Sequence, residues 1–222
     1  IIQHQSYIDV LTKCGLDVFV LESCEEYPDS TFVEDVALIT PNCAIITRPG
    51  TPSRRGEVNE IEYILKQKFN NIEAIEAPGT IEGGDIMMVG NHYYIGLSER
   101  TNLEGAKQII QILNKYRMSA STISLKKVLH LKTGLSYLEK NNLVVCGEFI
   151  NDSLFEQFNP IEIPKKESYA ANCIWVNKSV IIPLGYPTTK QRIENAGYPV
   201  IETDVAEFQK LDGGLSCLSL RY

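Results

Sequence analysis

Nowhere does this sequence hold the ~20 consecutive apolar residues of a membrane-spanning helix, and no signal-peptide pattern opens it. Positive charge is in short supply. Lysine and arginine total 21 against 28 aspartates and glutamates, a formal net charge of −7. Nucleic acid and anionic membranes would repel such a surface, whereas a small cation would be drawn to it. None of the six cysteines forms a C-x-x-C pair, which excludes a zinc ribbon and gives no support to any metal site. Cys14, Cys24, Cys43, Cys146 and Cys173 are expected as reduced, structural thiols of a cytoplasmic protein. Histidine is scarce, with only three copies. What is plentiful is apolar residue, 44% of 222 positions, enough for one sizeable domain spanning 1–222.

The opening IIQHQSYIDVLTKCG has the apolar period of a helix, closed by Gly15. Beyond it, one plan recurs. A polar cluster runs into a short apolar strand at FVEDVALI from Phe32, EGGDIMMV from Glu82, HLKTGLSYL from His130, AANCIWV from Ala170 and GGLSCLSL from Gly213. The first four are followed by a polar turn and a second apolar strand: CAIIT, HYYIGL, LVVCG and SVIIPL. The turns carry Asn42, Gly90–Asn91, Asn141–Asn142 and Asn177–Lys178, residues that hairpins favour. Helical stretches come next. One places Val58, Ile61, Ile64, Leu65 and Phe69 on a single face, another Leu103, Ala106, Ile109, Ile110 and Leu113. A third, TTKQRIENAG, ends on Gly197. The third unit has a loop at this point, and a further strand then completes each unit, as in IEAIEA, STISL, IEIP and PVIET.

A ββαβ unit repeated in this way predicts an α/β ring of five pseudo-equivalent blades, with an open α/β sheet as the alternative. In the ring, the heads of the units converge. Glu34, Asp35, Glu82, Asp85, His130, Lys132, Asn172 and Cys217 are then expected to share one central site. The fifth unit lacks a hairpin partner, and the reading is of a ring whose N-terminal strand is missing ahead of Ile1.

Taken singly, Cys217 and His130 fit core positions as well as catalytic ones. Their equivalent places in the repeat favour a nucleophile paired with a base, because a cysteine needs a basic or cationic neighbour to react. Acidic residues gather at Asp29, Glu34 and Asp35, and again at Glu82 and Asp85. Buried carboxylates need partners, and a guanidinium offers a planar fork of N–H donors. Arg48, Arg54, Arg55 and Arg100 each follow a hairpin, near the expected rim, where an arginine is suited to holding a substrate carboxylate bidentately. Acids for one end of a ligand and arginines for the other describe an arginine-like amino acid.

Seven segments, PDSTFVEDVAL, ITRPGTPSRRGE, IEAPGTIEGGDIMMVG, YIGLSERTN, VLHLKTGLSYLE, ESYAANCIWVN and DGGLSCLSL, together resemble the dimethylarginine dimethylaminohydrolase family of guanidine-modifying enzymes, particularly its bacterial members. They run in order over essentially the whole chain. The resemblance implies the pentein fold, a five-bladed α/β propeller with its site in the central channel. It implies hydrolysis of asymmetric dimethylarginine or monomethylarginine to citrulline and an amine, through a covalent cysteine intermediate and without cofactor or metal. Cys217 matches the nucleophile, His130 the general acid/base and Glu82 the carboxylate that orients it. Glu34 and Asp35 match residues that grip the guanidinium, and Asp29, Arg54 and Arg100 those that bind the α-amino and α-carboxylate ends. Leu211 matches a backbone contact near the nucleophile. A homodimer is also implied. A strand and a lid loop stand ahead of the first helix in that family but not in this sequence. The alternatives are an arginine deiminase or amidinotransferase of the same superfamily, or a non-catalytic pentein such as initiation factor 6.

Overall fold

The computed structural model describes every residue from Ile1 to Tyr222. Helix α1 (Ile2–Lys13) comes first. Four units then follow one another. The first is β1 (Ala37–Ile39), β2 (Ala44–Ile46), α2 (Val58–Lys68) and β3 (Ile72–Ala74), and the second β4 (Ile86–Val89), β5 (His92–Leu97), α3 (Leu103–Lys115) and β6 (Ser119–Ser124). In the third, a single helical turn, α4 (Leu131–Gly134), leads into β7 (Leu135–Tyr137), β8 (Asn142–Val145) and, across a loop, β9 (Asn159–Glu162). The fourth is β10 (Ile174–Val176), β11 (Ser179–Pro183), α5 (Pro187–Asn195) and β12 (Val200–Thr203), trailed by α6 (Ala206–Gln209).

Each unit makes its own three-stranded sheet, with its second strand in the middle. That strand pairs antiparallel with the first and parallel with the third. The chemistry of the connections explains the pattern. A hairpin turn can only reverse the chain, and a parallel return needs a long crossover, which the helix or loop provides. Lys140 and Asn141 have φ of 49° and 65°, the left-handed pair of a tight hairpin turn. The turn therefore falls one residue earlier than Asn141–Asn142, and Asn142 opens β8. Gly197 has φ of 93° just past α5, as a helix-ending glycine should.

Two expectations need correction. The polar heads of the units are not strand. Val33–Val36, Gly83–Asp85 and Lys165–Ala171 are short 3-10 turns, and α4 plays the same part in the third unit. Acids on these turns accept N–H groups from distant segments, Asp35 from Gly84, Asp85 from Leu131 and Glu167 from Thr188 and Thr189. The fifth head is a 3-10 turn as well, Ser216–Leu218, and no strand pairs with the residues after it. Four three-stranded sheets are present.

The chain divides into two compact units, Ile1–Glu22 with Lys132–Ser216, and Ser23–Leu131 with Cys217–Tyr222. Each has its own core. In the second, Ile61 and Leu65 of α2 and Ala106, Ile109 and Leu113 of α3 are buried, with Ile45, Ile81, Tyr93 and Ile95 packed in the same core as the α3 residues. Leu103, expected on the apolar face of α3, is exposed, because it begins the helix beside the capping residue Asn102. In the first, Val144, Ile163, Val180, Ile182 and Ile193 pack together. No helix is long and apolar enough to cross a membrane.

Candidate active site

Within the unit of Ser23–Leu131 and Cys217–Tyr222, the turns between Val33 and Val36 and between Gly83 and Asp85 carry a group of buried acids. Glu34, Asp35, Glu57, Glu82 and Asp85 are all less than one-tenth exposed. Arg54, itself 8% exposed, is the arginine buried among them. Its Nη1 donates to Asp35 Oδ2 at 2.7 Å, its Nη2 to Glu57 Oε2 at 2.8 Å and its Nε to Glu57 Oε1 at 3.1 Å. Nη2 also reaches the carbonyls of Phe32 and Asp29. Burial alone would lower the Arg54 pKa, but the Glu57 and Asp35 bonds and charges raise it. Burial alone would raise the Asp35 pKa, but the charge of His130, then the Arg54 charge and bond and the Gly84 N–H, hold it below its ordinary value.

His130 is the second cation. Its Nε2 lies 2.8 Å from Glu82 Oε2. A carboxylate only accepts hydrogen bonds, so Nε2 carries the proton, and Nδ1 is left for chemistry. Burial pulls the His130 pKa down. The hydrogen bond to Glu82 and the charges of Asp35, Asp85 and Glu82 outweigh that and push it up to about 9. Glu82 is held in turn by the Gly50 N–H on Oε1 at 3.0 Å. The paired glycines permit this crowding. A Cβ on Gly84 would sit 2.9 Å from His130 Cγ and 3.0 Å from Asp35 Oδ1, and one on Gly83 would sit 2.0 Å from the Glu34 carbonyl oxygen.

A raised folded-state pKa has a consequence for stability. Protonated His130 is favoured by the fold, so its contribution is complete below its ordinary 6.5 and disappears as pH climbs through about 9. Urea unfolding between pH 6.5 and 9.5 should therefore show a loss of up to about 3 kcal/mol that a His130→Asn variant does not share. Equal slopes in the two proteins would contradict the assignment.

The structure gathers Asp35, Glu82 and His130 closely, and Glu34 is next to Asp35 on the same turn. Single ligating atoms of Asp35, Glu82 and His130 lie within 4.8 Å of one another. Cys217 belongs to the same unit, half-buried on the Ser216–Leu218 turn. Arg100 is half-buried, and no hydrogen bond or ion pair engages its guanidinium. Asp29 is exposed on the turn Pro28–Thr31, with its carbonyl bonded to Arg54. Arg54 departs from the sequence reading. It is an interior residue whose fork is already occupied, with one Nη1 hydrogen left, so it cannot clamp a carboxylate bidentately as it stands. Leu211, Lys132 and Asn172 fall in the other unit. Leu211 is exposed there, and Asn172 binds the Ser216 N–H at 2.9 Å and the Lys132 carbonyl at 3.0 Å.

Sequence reasoning passed over Glu57, Gly50, Ser98 and Arg221. Only Glu57 carried a signal, three residues after Arg54 in a helical turn. Arg221 approaches Glu34 to 3.9 Å.

With this geometry in view, comparison with known proteins is decisive. The profile described as N,N dimethylarginine dimethylhydrolase, eukaryotic, matches residues 1–218. The chain belongs to the dimethylarginine dimethylaminohydrolase family. The Pseudomonas aeruginosa member is 58% identical over 221 residues, covering 99% of this chain and 87% of that protein. The Streptomyces coelicolor member is 30% identical, with 99% and 84% covered. A crystal structure of a cysteine-to-serine variant of the Pseudomonas aeruginosa dimethylarginine dimethylaminohydrolase, complexed with citrulline, superposes with a TM-score of 0.98 at 57% identity, covering 99% of this chain and 87% of that one. The N-terminal domain of a cyanobacterial arginine dihydrolase has a TM-score of 0.91 at 21% identity, covering 100% and 85%, a likeness of fold alone. The α/β fold of small three-stranded sheets is thus the fold of this dimethylarginine dimethylaminohydrolase structure.

Proposed function

We propose that this chain hydrolyses Nω-methylated L-arginine to L-citrulline and methylamine or dimethylamine. The observation that carries the reading is a surplus of buried negative charge beside a protonated histidine. Asp35, Glu57, Glu82 and Asp85 are buried, and Arg54 and His130 are the cations paired with them. Uncompensated buried charge is costly, so the site favours a cationic ligand, and a guanidinium suits paired carboxylates.

The proposed roles follow. Glu34 and Asp35 fix the guanidinium plane, and both oxygens of Asp35 also accept bonds from Arg54 and Gly84. Arg100 takes the α-carboxylate, aided by the remaining Nη1 hydrogen of Arg54, and Asp29 the α-amino group. Leu211 contributes backbone contacts. The Cys217 thiolate attacks the central guanidinium carbon. His130 passes its Nδ1 proton to the departing amine nitrogen as the C–N bond breaks, leaving an S-alkylthiouronium on Cys217. Neutral His130 then takes a proton from water, and the hydroxide formed adds to the same carbon. As the C–S bond breaks, the added hydroxyl gives its proton to solvent and becomes the C=O of citrulline, which leaves, and the thiolate returns. Glu82 orients His130 and stabilises its charged form. The histidine acts as acid, then base, and no step calls for a metal or cofactor.

Residues 1–218 match one family profile across both compact units, which supports reading 1–222 as one catalytic domain. We read its four sheets as blades of a five-bladed propeller. The unpaired cysteines support a cytoplasmic setting, and a homodimer belongs to the same proposal.

Product analysis tests the activity. Asymmetric dimethylarginine should give citrulline and dimethylamine in equal amounts, with plain arginine a poor source of ammonia. Ammonia release from arginine at a higher kcat/KM would make the protein a deiminase. Ornithine without citrulline would make it an amidinotransferase.

A further inference from the structure

We infer that Asp85 is a positioning residue that fixes the spacing between His130 and Arg100, and so gauges the length of the substrate. The inference rests on the reading of the site as a methylarginine hydrolase. It goes beyond the catalytic cysteine, histidine and glutamate, because Asp85 touches neither substrate end directly.

Asp85 is fully buried. Its Oδ1 accepts the N–H of Leu131, the peptide next to His130, at 3.0 Å. Its Oδ2 accepts the hydroxyl of Ser98 at 2.6 Å. The Ser98 oxygen then accepts the N–H of Arg100 at 3.0 Å and that of Thr101 at 3.1 Å. Thr101 Oγ1 accepts the N–H of Glu82 at 3.2 Å, and Glu82 binds His130. The bonds form a closed circuit through the acid/base, its orienting carboxylate and the turn that carries the carboxylate-binding arginine. Asp85, Thr101 and Glu82 are each at most 1% exposed, so water does not compete for these bonds.

The circuit has one polarity. A serine hydroxyl donates one hydrogen and accepts two, and all three places on Ser98 are filled. The Leu131 N–H and the Ser98 hydroxyl both point a hydrogen at Asp85, and the Thr101 side chain adds a third bond. An ionised carboxylate accepts all of these with no hydrogen of its own to place, and burial, which raises the Asp85 pKa, is opposed by the His130 charge and these bonds. Asparagine would set its NH2 against either the Leu131 N–H or the Ser98 hydroxyl. One carboxylate therefore ties the leaving-group end of the site to the carboxylate end.

The test uses Ser98→Ala and Asp85→Asn, assayed with Nω-methyl-L-arginine and its homologue one methylene shorter. For Ser98→Ala we expect a KM for methylarginine about 10-fold higher with kcat within about 3-fold, as uniform binding is lost. The preference for methylarginine over the shorter homologue in kcat/KM should shrink by about the same 10-fold, and Ser98→Thr, which keeps the hydroxyl, should restore it. Asp85→Asn should show the same collapse. It should also move the alkaline limb of kcat/KM down by about one pH unit, because Asp35 and Glu82 would remain as the acids facing His130. A purely structural role would lower kcat/KM for both substrates in proportion. An unchanged preference in Ser98→Ala would overturn the inference even if Asp85→Asn failed to fold. Absence of methylarginine turnover by the unaltered protein would instead overturn the functional reading beneath it.

Discussion

Replacing Cys217 by serine is expected to cut citrulline formation by roughly five to six orders of magnitude while leaving the fold intact, in line with the loss of nucleophiles elsewhere. The guanidinium carbon is a poor electrophile, stabilised by resonance, and only a thiolate is nucleophilic enough at neutral pH. A serine hydroxyl ionises far less readily, and the buried acids around His130 oppose a further negative charge. The substitution is nearly isosteric at a half-buried position in a short turn, so thermal unfolding should change little. Two measurements check it. Turnover with asymmetric dimethylarginine should fall to background, and acid-quenched mass spectrometry should find a substrate-derived adduct on the unaltered chain but not on the variant. Citrulline production within ten-fold of normal would remove Cys217 from its role.

The second large effect is expected from Glu82→Gln. The Gly50 N–H needs an acceptor, so the glutamine oxygen must face it. The amide NH2 then faces His130 Nε2, where a lone pair is now required. The imidazolium form, with hydrogen on both nitrogens, is excluded. The His130 pKa should fall from about 9 to below its ordinary range, and kcat at neutral pH by about 10²–10⁴, the usual worth of general acid catalysis. The loss should depend on the leaving group. Dimethylamine needs a proton to depart, whereas a thiol leaving group does not, so a thiol-releasing analogue should react nearly normally. If both substrates slowed equally, the acid role of His130 would be wrong, and an unmoved alkaline limb would separate Glu82 from its protonation.

Much of the fold could be read directly along the chain. Helices α2 and α3 announce themselves by apolar stripes that end up buried at Ile61, Leu65, Ala106, Ile109 and Leu113. The hairpins announce themselves by turn residues such as Asn141 and Asn177, both with positive φ. These signals are local, set within one or two turns of backbone. The heads of the units were misjudged, because FVED and EGGD have the apolar flanks of strands. Their 3-10 turns depend on a bond made across 49 positions, from the Gly84 N–H to Asp35 Oδ1. The last segment, GGLSCLSL, resembles the first strand of a fifth unit for a similar reason. Its apolar residues fit one, but a strand exists only where another pairs with it.

The site divides along the same line. Residue types and their spacing were enough to nominate a cysteine, a histidine and a set of acids, and to suggest a cationic substrate, because these choices follow from the chemistry of side chains. Where each proton and charge resides was settled only by tertiary structure. Arg54 looked like a surface clamp and proved to be the buried counter-ion of Asp35 and Glu57. His130 acquired its raised pKa from carboxylates 45 or more positions upstream. Desolvation and hydrogen-bond geometry act over a few ångströms of space, and the distance between two residues in space is a property of the folded chain, not of their order along it.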